Sequence, residues 1–240
     1  MARRRFFVDF VRDGQAELRG DEAHHLGRVL RAETGQQYEI SDGSGVYLAE
    51  IREAGKSVVR FQILEQLPAP AALPSLTLYM ALIKFDRFEW VVEKATELGA
   101  TSIVPVECAR SEAGLMAASV KRSERWRKIA RESSQQARRV ACPIIQDSVR
   151  LTSLQAEGVR CRMEEQHGAI PFAQLLNGVP AHSALSILVG PEGGWTESER
   201  SLLDGAGWLR ASLGPLILRA ETAAIATLAI AGQRASANGD

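Results

Sequence analysis

The chain has 240 residues, 45% hydrophobic and 24% charged, enough to bury an ordinary core in one large domain or two small ones. Its 29 Lys and Arg balance 29 Asp and Glu, so any attraction to a nucleic acid has to come from a local basic face, not from net charge. No apolar run approaches the roughly 20 residues of a bilayer span, and Met1 to Phe10 lacks the apolar stretch of a signal peptide, so a cytoplasmic protein without a membrane partner is expected.

Taken in chain order, the first 66 residues read as short strands at Arg5 to Phe10, Tyr38 to Ser41, Val46 to Arg52 and Val58 to Gln66, with Asp42-Gly43-Ser44-Gly45 as a turn. One helix interrupts them. Asp21 is its expected N-cap, and Leu26, Val29 and Leu30 form an apolar stripe with Arg28 and Arg31 opposite. The pattern predicts a small, mostly antiparallel β-barrel. Leu67 to Pro74 is proline-rich, which disfavours both helix and central strand, and reads as a linker.

Beyond the linker, strands alternate with helices, the grammar of an α/β domain with a mostly parallel sheet. Strands are expected at Leu76 to Ile83, Ser102 to Glu107, Val159 to Met163, Ala184 to Val189 and Trp208 to Leu213. Asp86 is placed to cap a helix from Arg87 to Leu98 that Gly99 stops, and Thr196 to Glu199 fits a capping box. The last helix starts near Glu221 and is small or apolar almost all round through Ile230, so it needs cover on more than one side, from its own domain or from a second copy. Cys108, Cys142 and Cys161 are widely spaced and outside any CxxC pair, which predicts neither a disulfide framework nor a metal site.

Two segments carry chemistry. Leu188-Val189-Gly190-Pro191-Glu192-Gly193-Gly194-Trp195-Thr196 follows a strand and opens a helix, where ligands of open α/β sheets sit. It lacks the Lys and Ser or Thr of a P-loop and is not a GxGxxG turn, so it suits a ligand held by backbone groups. Leu213-Gly214-Pro215-Leu216-Ile217-Leu218-Arg219-Ala220-Glu221-Thr222-Ala223 repeats the device. It places Glu221 at a positive helix N-terminus, and it can equally be read as Arg219 and Glu221 simply pairing.

These two segments, with Lys84-Phe85-Asp86-Arg87, Lys94 to Gly99, and Gln136 with Arg139 before Pro143, resemble the ribosomal RNA small subunit methyltransferase E family of the SPOUT class, over nearly the whole chain. Ile144 and Leu216 depart from that pattern. The resemblance implies an N-terminal PUA-like barrel at 1–72 and a SPOUT α/β domain with a deep trefoil knot at 73–240. It also implies a homodimer and S-adenosylmethionine as cofactor. The implied reaction is methylation of uridine N3 in 16S ribosomal RNA, free or in the assembled small subunit. Leu188, Val189, Gly190, Glu192, Gly193, Leu213, Gly214, Leu218, Glu221 and Thr222 are then expected to hold the cofactor, with Glu192 and Glu221 toward the sulfonium. Arg139, Arg219 and Lys84 are expected to stabilise the uridine anion. Arg3, Arg4, Arg5, Arg28, Lys121, Arg122 and Gln136 are expected to contact RNA. Three alternatives stay open: methylation at a ribose 2′-hydroxyl or a guanine, an RNA-binding protein without catalysis, and a nucleotide-binding enzyme that uses the Gly190 to Gly194 loop for phosphates.

Overall fold

A computed structural model describes residues 5–55, 57–68, 74–166, 168–180 and 182–236, with the Val29 side chain and those of 234–236 not described. Arg3, Arg4 and most of the proline-rich linker therefore lie outside the described residues. Contacts divide the chain into two units, 1–71 with Ser134–Cys142, and 72–133 with 143–240. The return of nine residues from the middle of the chain to the first unit is absent from the linear division at residue 72.

The first unit comprises β1 (Arg5–Phe7), β2 (Val11–Arg12), β3 (Gln15–Arg19), α1 (Gly20–His24), β4 (Gln37–Ser41), β5 (Val46–Ala54) and β6 (Val58–Leu67). They form a sheet in the order β1-β4-β5-β6-β3-β2, antiparallel except for the β1–β4 pair. Alternation makes its core: Ala16 and Leu18 of β3 point inward between exposed Gln15 and Arg19, and meet Phe6, Ile40, Ile51 and Phe61. The strand expected through Phe10 stops at Phe7, because the chain turns into a β2–β3 hairpin whose Asp13 and Gly14 both have positive φ. That Asp-Gly pair is a two-residue hairpin signal that the expected strand does not include.

The helix also departs from expectation. The chain enters it through Arg19, and Asp21 lies in the first turn without capping it. The backbone then widens into a π-helical turn at His25–Val29, which shifts the side-chain phase, so Leu26 is buried while Leu30 is 42% exposed. Arg5, read as a phosphate contact, is instead buried and donates to Glu39 at 2.9 Å. Arg138 donates to the same carboxylate, and Ser41 Oγ lies 2.6 Å from the Val140 carbonyl, so the 134–142 segment is bound into this unit.

The second unit contains β7 (Leu76–Ala81), α2 (Phe85–Glu97), β8 (Ser102–Glu107), α3 (Leu115–Ser119), α4 (Ser123–Gln136), β9 (Ile144–Ile145), β10 (Val149–Arg150), β11 (Val159–Met163), β12 (Ile170–Pro171), α5 (Phe172–Asn177), β13 (Leu185–Val189), α6 (Glu197–Gly205), β14 (Leu209–Ser212) and α7 (Ala220–Ser236). The last three residues of α4 belong to the first unit. All strand pairs here are parallel, in the order β10-β8-β7-β13-β11-β14-β12, with β9 on β8. Both faces are covered, as a parallel sheet requires. Ile187 and Val189 of β13 join Met80, Phe88, Trp126 and Leu228 on one face, while Leu188 between them joins Tyr79, Trp195, Leu203 and Trp208 on the other.

Asp86 lies in the first turn of α2 without capping it, since the helix begins at Phe85 with Lys84 as its entry residue. The capping box at Thr196 and Glu199 is formed as expected, each side chain accepting from the other's backbone N–H. One face of α7, carrying Ala224, Thr227, Leu228 and Ala231, is buried within the unit, and Ile225, Ala226, Ala229 and Ile230 stay half-buried. No helix among the described residues is long and apolar enough to cross a membrane.

Candidate functional site

The strand order puts β13 between β7 and β11, so the carboxyl ends of β11, β13 and β14 open side by side. A cleft lies beyond them. It is lined by Met163, Glu164 and Glu165 after β11, by Val189 to Glu192 with Gly194 and Trp195 after β13, and by Leu213, Gly214, Leu216 to Leu218, Ala220 and Ala223 after β14. This is the position at which open α/β sheets bind ligands.

The loop after β13 is fixed at several points. An added Cβ on Gly190 would lie 2.9 Å from the Trp195 ring, so only glycine lets strand and indole meet here. Trp195 is 2% exposed, and its Nε1 donates to the Met163 carbonyl at 2.9 Å, tying this loop to the end of β11. From outside, Arg110 lays its stem against Gly193 and donates through Nη1 to the Gly193 carbonyl at 2.6 Å. Arg110 sits in a turn whose Ala109 N–H donates to Glu199 at 2.7 Å, so the acid of the capping box also holds the end of β8. The loop after β14 depends on Gly214, whose φ of +115° no side-chain-bearing residue readily adopts. Leu216 and Ile217 on it are 77% and 81% exposed.

The turn after β11 is a second polar anchor. Glu164 is buried, accepts from Arg200 Nε at 3.0 Å and from the Glu165 N–H at 3.2 Å, and lies 3.7 Å from fully buried Arg162. That leaves the exposed Glu165 at the rim of the cleft. The hydrogen bond to Glu164 raises the pKa of Arg200, while burial lowers that of Arg162 against the pull of Asp204 and Glu164.

Of the residues the sequence assigns to the cofactor, Val189, Gly190, Glu192, Leu213, Gly214 and Leu218 line the cleft. Leu188, expected to contribute its main chain, turns its side chain into the opposite core by strand alternation. Gly193 faces Arg110, Glu221 is buried at the start of α7, and Thr222 is exposed beside it. Lys84 and Arg219 are exposed in the second unit without an ion pair among the described residues, whereas Arg139 belongs to the first unit and donates through Nε to the Ala141 carbonyl at 3.1 Å. Burial lowers the Arg139 pKa, without removing the charge of a guanidinium.

The RNA-facing expectations divide. Arg28, Lys121 and Gln136 are exposed. Arg122 is held over the Phe85 ring at 5.2 Å and reaches Glu89 at 3.5 Å, a carboxylate that also takes Arg125 at 2.7 Å. Sequence reasoning missed Met163, Glu165, Trp195 and Arg110. Only Trp195, inside the glycine-rich segment, carried a signal that could have found it.

A family model described as an RNA methyltransferase domain matches residues 70–232, and one described as an RNA methyltransferase PUA domain matches residues 18–64. Ribosomal RNA small subunit methyltransferase E of Bacillus subtilis is 32% identical over 98% of this chain and 99% of its own length. The chain belongs to this RNA methyltransferase family. Its counterpart of the same name in Mycobacterium tuberculosis is 33% identical over 95% of this chain and 90% of its own. Among solved structures, ribosomal RNA small subunit methyltransferase E from Neisseria gonorrhoeae, bound to S-adenosyl methionine, superposes with a TM-score of 0.82 at 26% identity over 95% of each chain. A Legionella pneumophila methyltransferase in complex with the same cofactor gives 0.86 at 26% identity over 97% of this chain and 98% of that one. Membership of the family accounts for the pairing of a PUA-like barrel with a parallel α/β domain.

Proposed function

We propose that this protein transfers a methyl group from S-adenosylmethionine to N3 of a uridine in 16S ribosomal RNA. The observation that carries the reading is the cleft between the two glycine-rich loops, in a chain that matches small-subunit ribosomal RNA methyltransferases along nearly its whole length. The cofactor fits the chemistry of the walls. Val189, Leu213, Leu218 and Met163 offer apolar surface for an adenine, and the glycines bring backbone donors and acceptors within reach of its edges. When bound, S-adenosylmethionine supplies an electrophilic methyl on a positive sulfur.

The protein's part is to hold and to polarise. Uridine N3 becomes nucleophilic on losing its proton, and the resulting charge spreads to O2 and O4, where an aimed cation lowers the barrier. Arg219 is assigned that role because it stands exposed at the end of the loop after β14 with no carboxylate neutralising it among the described residues. Lys84 and Arg139 are the further candidates. The target base has to be unstacked, since N3 is occupied in a Watson-Crick pair, and exposed Arg28, Lys121 and Gln136 are suited to position RNA around it. A barrel at 1–72 that also takes in 134–142, and a methyltransferase domain over the rest of 73–240, go with this reading. So does a homodimer built on the half-buried Ile225, Ala226, Ala229 and Ile230 of α7, and a cytoplasmic location where ribosomes are made.

The test is methyl transfer from labelled cofactor to small ribosomal subunits from a strain lacking the protein, followed by nucleoside mass analysis. Label in 3-methyluridine is the expected result, and label in a ribose or in guanine overturns the assignment. Arg219→Ala is expected to abolish transfer, and full activity in that variant removes Arg219 from the mechanism.

A further inference from the structure

The sequence puts Glu192 and Glu221 where a carboxylate could face the sulfonium. Both have another occupation. Arg87, in the first turn of α2, donates through Nη1 to Glu192 Oε1, and its Nε lies 3.9 Å from Glu221 Oε1. Glu192 belongs to the loop after β13, and Glu221 follows the loop after β14 as the first acid of α7. One guanidinium therefore spans two walls of the cleft.

We propose that Arg87 is a positioning residue that straps the two glycine-rich loops together, and that Glu192 and Glu221 serve the cofactor by holding this geometry and not by placing charge on its sulfur. The proposal rests on the cofactor reading given above. A planar guanidinium has donors pointing in two directions and can hold two carboxylates at once, which an ammonium on a flexible stem does poorly.

The two ends of the strap differ in weight. Glu192 is half exposed, so its pair with Arg87 is a surface contact that contributes little alone. The Glu221 side chain is 6% exposed, and its Oε2 has no partner among the described residues. Without Arg87 that carboxylate loses its nearest cation in a poorly hydrated place, and the start of α7 has to shift or admit water. Ala220 and Ala223, on either side of Glu221, line the cleft, so such a shift alters the cleft wall directly.

S-adenosylmethionine and S-adenosylhomocysteine separate geometry from charge, because they differ only in the sulfonium methyl and the positive charge it brings. Calorimetric affinities for both ligands are measured on wild type, Arg87→Ala, Arg87→Lys, Glu192→Gln and Glu221→Gln, well below each variant's melting temperature. A strap predicts that Arg87→Ala weakens both ligands by the same factor, about tenfold, equivalent to about 1.4 kcal/mol. Arg87→Lys recovers part of the loss, and the ratio of the two affinities stays at the wild-type value in every variant. Wild-type affinity in Arg87→Ala overturns the proposal, as does a loss confined to S-adenosylmethionine in Glu192→Gln or Glu221→Gln. Hydrogen exchange reads the strap without ligand: amides of 190–194 and 220–223 exchange faster in Arg87→Ala and Arg87→Lys, and unchanged exchange counts against it. A wild-type protein that binds neither ligand sinks the cofactor reading, and the exchange data then judge the strap by itself.

Discussion

Gly190→Ala tests how tightly the cleft is built. The new Cβ would stand 2.9 Å from Cε2 and Cζ2 of Trp195, closer than carbon atoms approach, so something has to move. The indole cannot withdraw cheaply, being 2% exposed and fastened through Nε1 to Met163. Overpacking of this kind costs about 1–3 kcal/mol. In a protein of this length each kcal/mol corresponds to about 2–4 °C, so the melting temperature should fall by about 2–12 °C. Because Gly190, Trp195 and Met163 all line the cleft, cofactor affinity should fall as well, measured by calorimetry on the folded variant. Trp195→Phe removes the benzo edge that the methyl meets, so in that background the cost of Gly190→Ala should shrink by about half or more. A Gly190→Ala protein that melts and binds as wild type does would refute the reasoning, and a penalty undiminished in the Trp195→Phe background would show that the indole is not its source.

Three further outcomes follow from the same geometry. Gly158 has a φ of +66°, and a Cβ there would lie 2.1 Å from the Ala184 carbonyl, which accepts the Val159 N–H of the β11–β13 ladder; Gly158→Ala should cost more than about 3 kcal/mol, read by denaturant unfolding. Glu39 is held below the usual carboxylate pKa chiefly by its hydrogen bond from Arg138, with Arg5 adding to it against the opposing effect of burial. Its stabilisation is therefore present above the unfolded pKa and lost as pH falls through the lower folded one, so Glu39→Gln should cost about 1–3 kcal/mol at pH 7. That gap to wild type should close on titration toward pH 3. Burial, reinforced by Glu199, pushes the Cys108 thiol well up, and Cys108 and Cys161 are buried where Cys142 is half-buried; iodoacetamide at pH 8 should label Cys142 first, as peptide mass mapping will show.

What could be read in the chain was what is written locally. The capping box at Thr196 and the two glycine-rich segments each lie within a dozen residues, and the change from strands to alternating strands and helices is a sum of such local patterns. Each was recognisable for that reason. Asp13-Gly14 is equally local, but the strand-like pattern of Phe6, Phe7, Val8 and Phe10 just before it is the stronger signal and masks the turn. The pairings of Arg87 with Glu192 and of Arg110 with Gly193 are not legible in this way, since they span 105 and 83 residues, through a sheet order that inserts β13 beside β7. The basic run from Lys121 shows the opposite failure, for charge alone does not tell that Glu89 takes both Arg122 and Arg125. The knot implied by the resemblance is a property of the whole chain path, and no window of residues could encode it.

The nine residues from Ser134 to Cys142 make the barrel a unit that no single cut can release. A fragment ending near residue 71 would contain Arg5 and Glu39 but not Arg138, and would leave Ser41 without the Val140 carbonyl. Its loss of solubility or of RNA affinity would then report a missing piece of its own architecture, not the absence of a neighbour. Swapping barrels between relatives meets the same condition: a donor has to bring its 134–142 counterpart along with its strands, as two separate inserts in one gene.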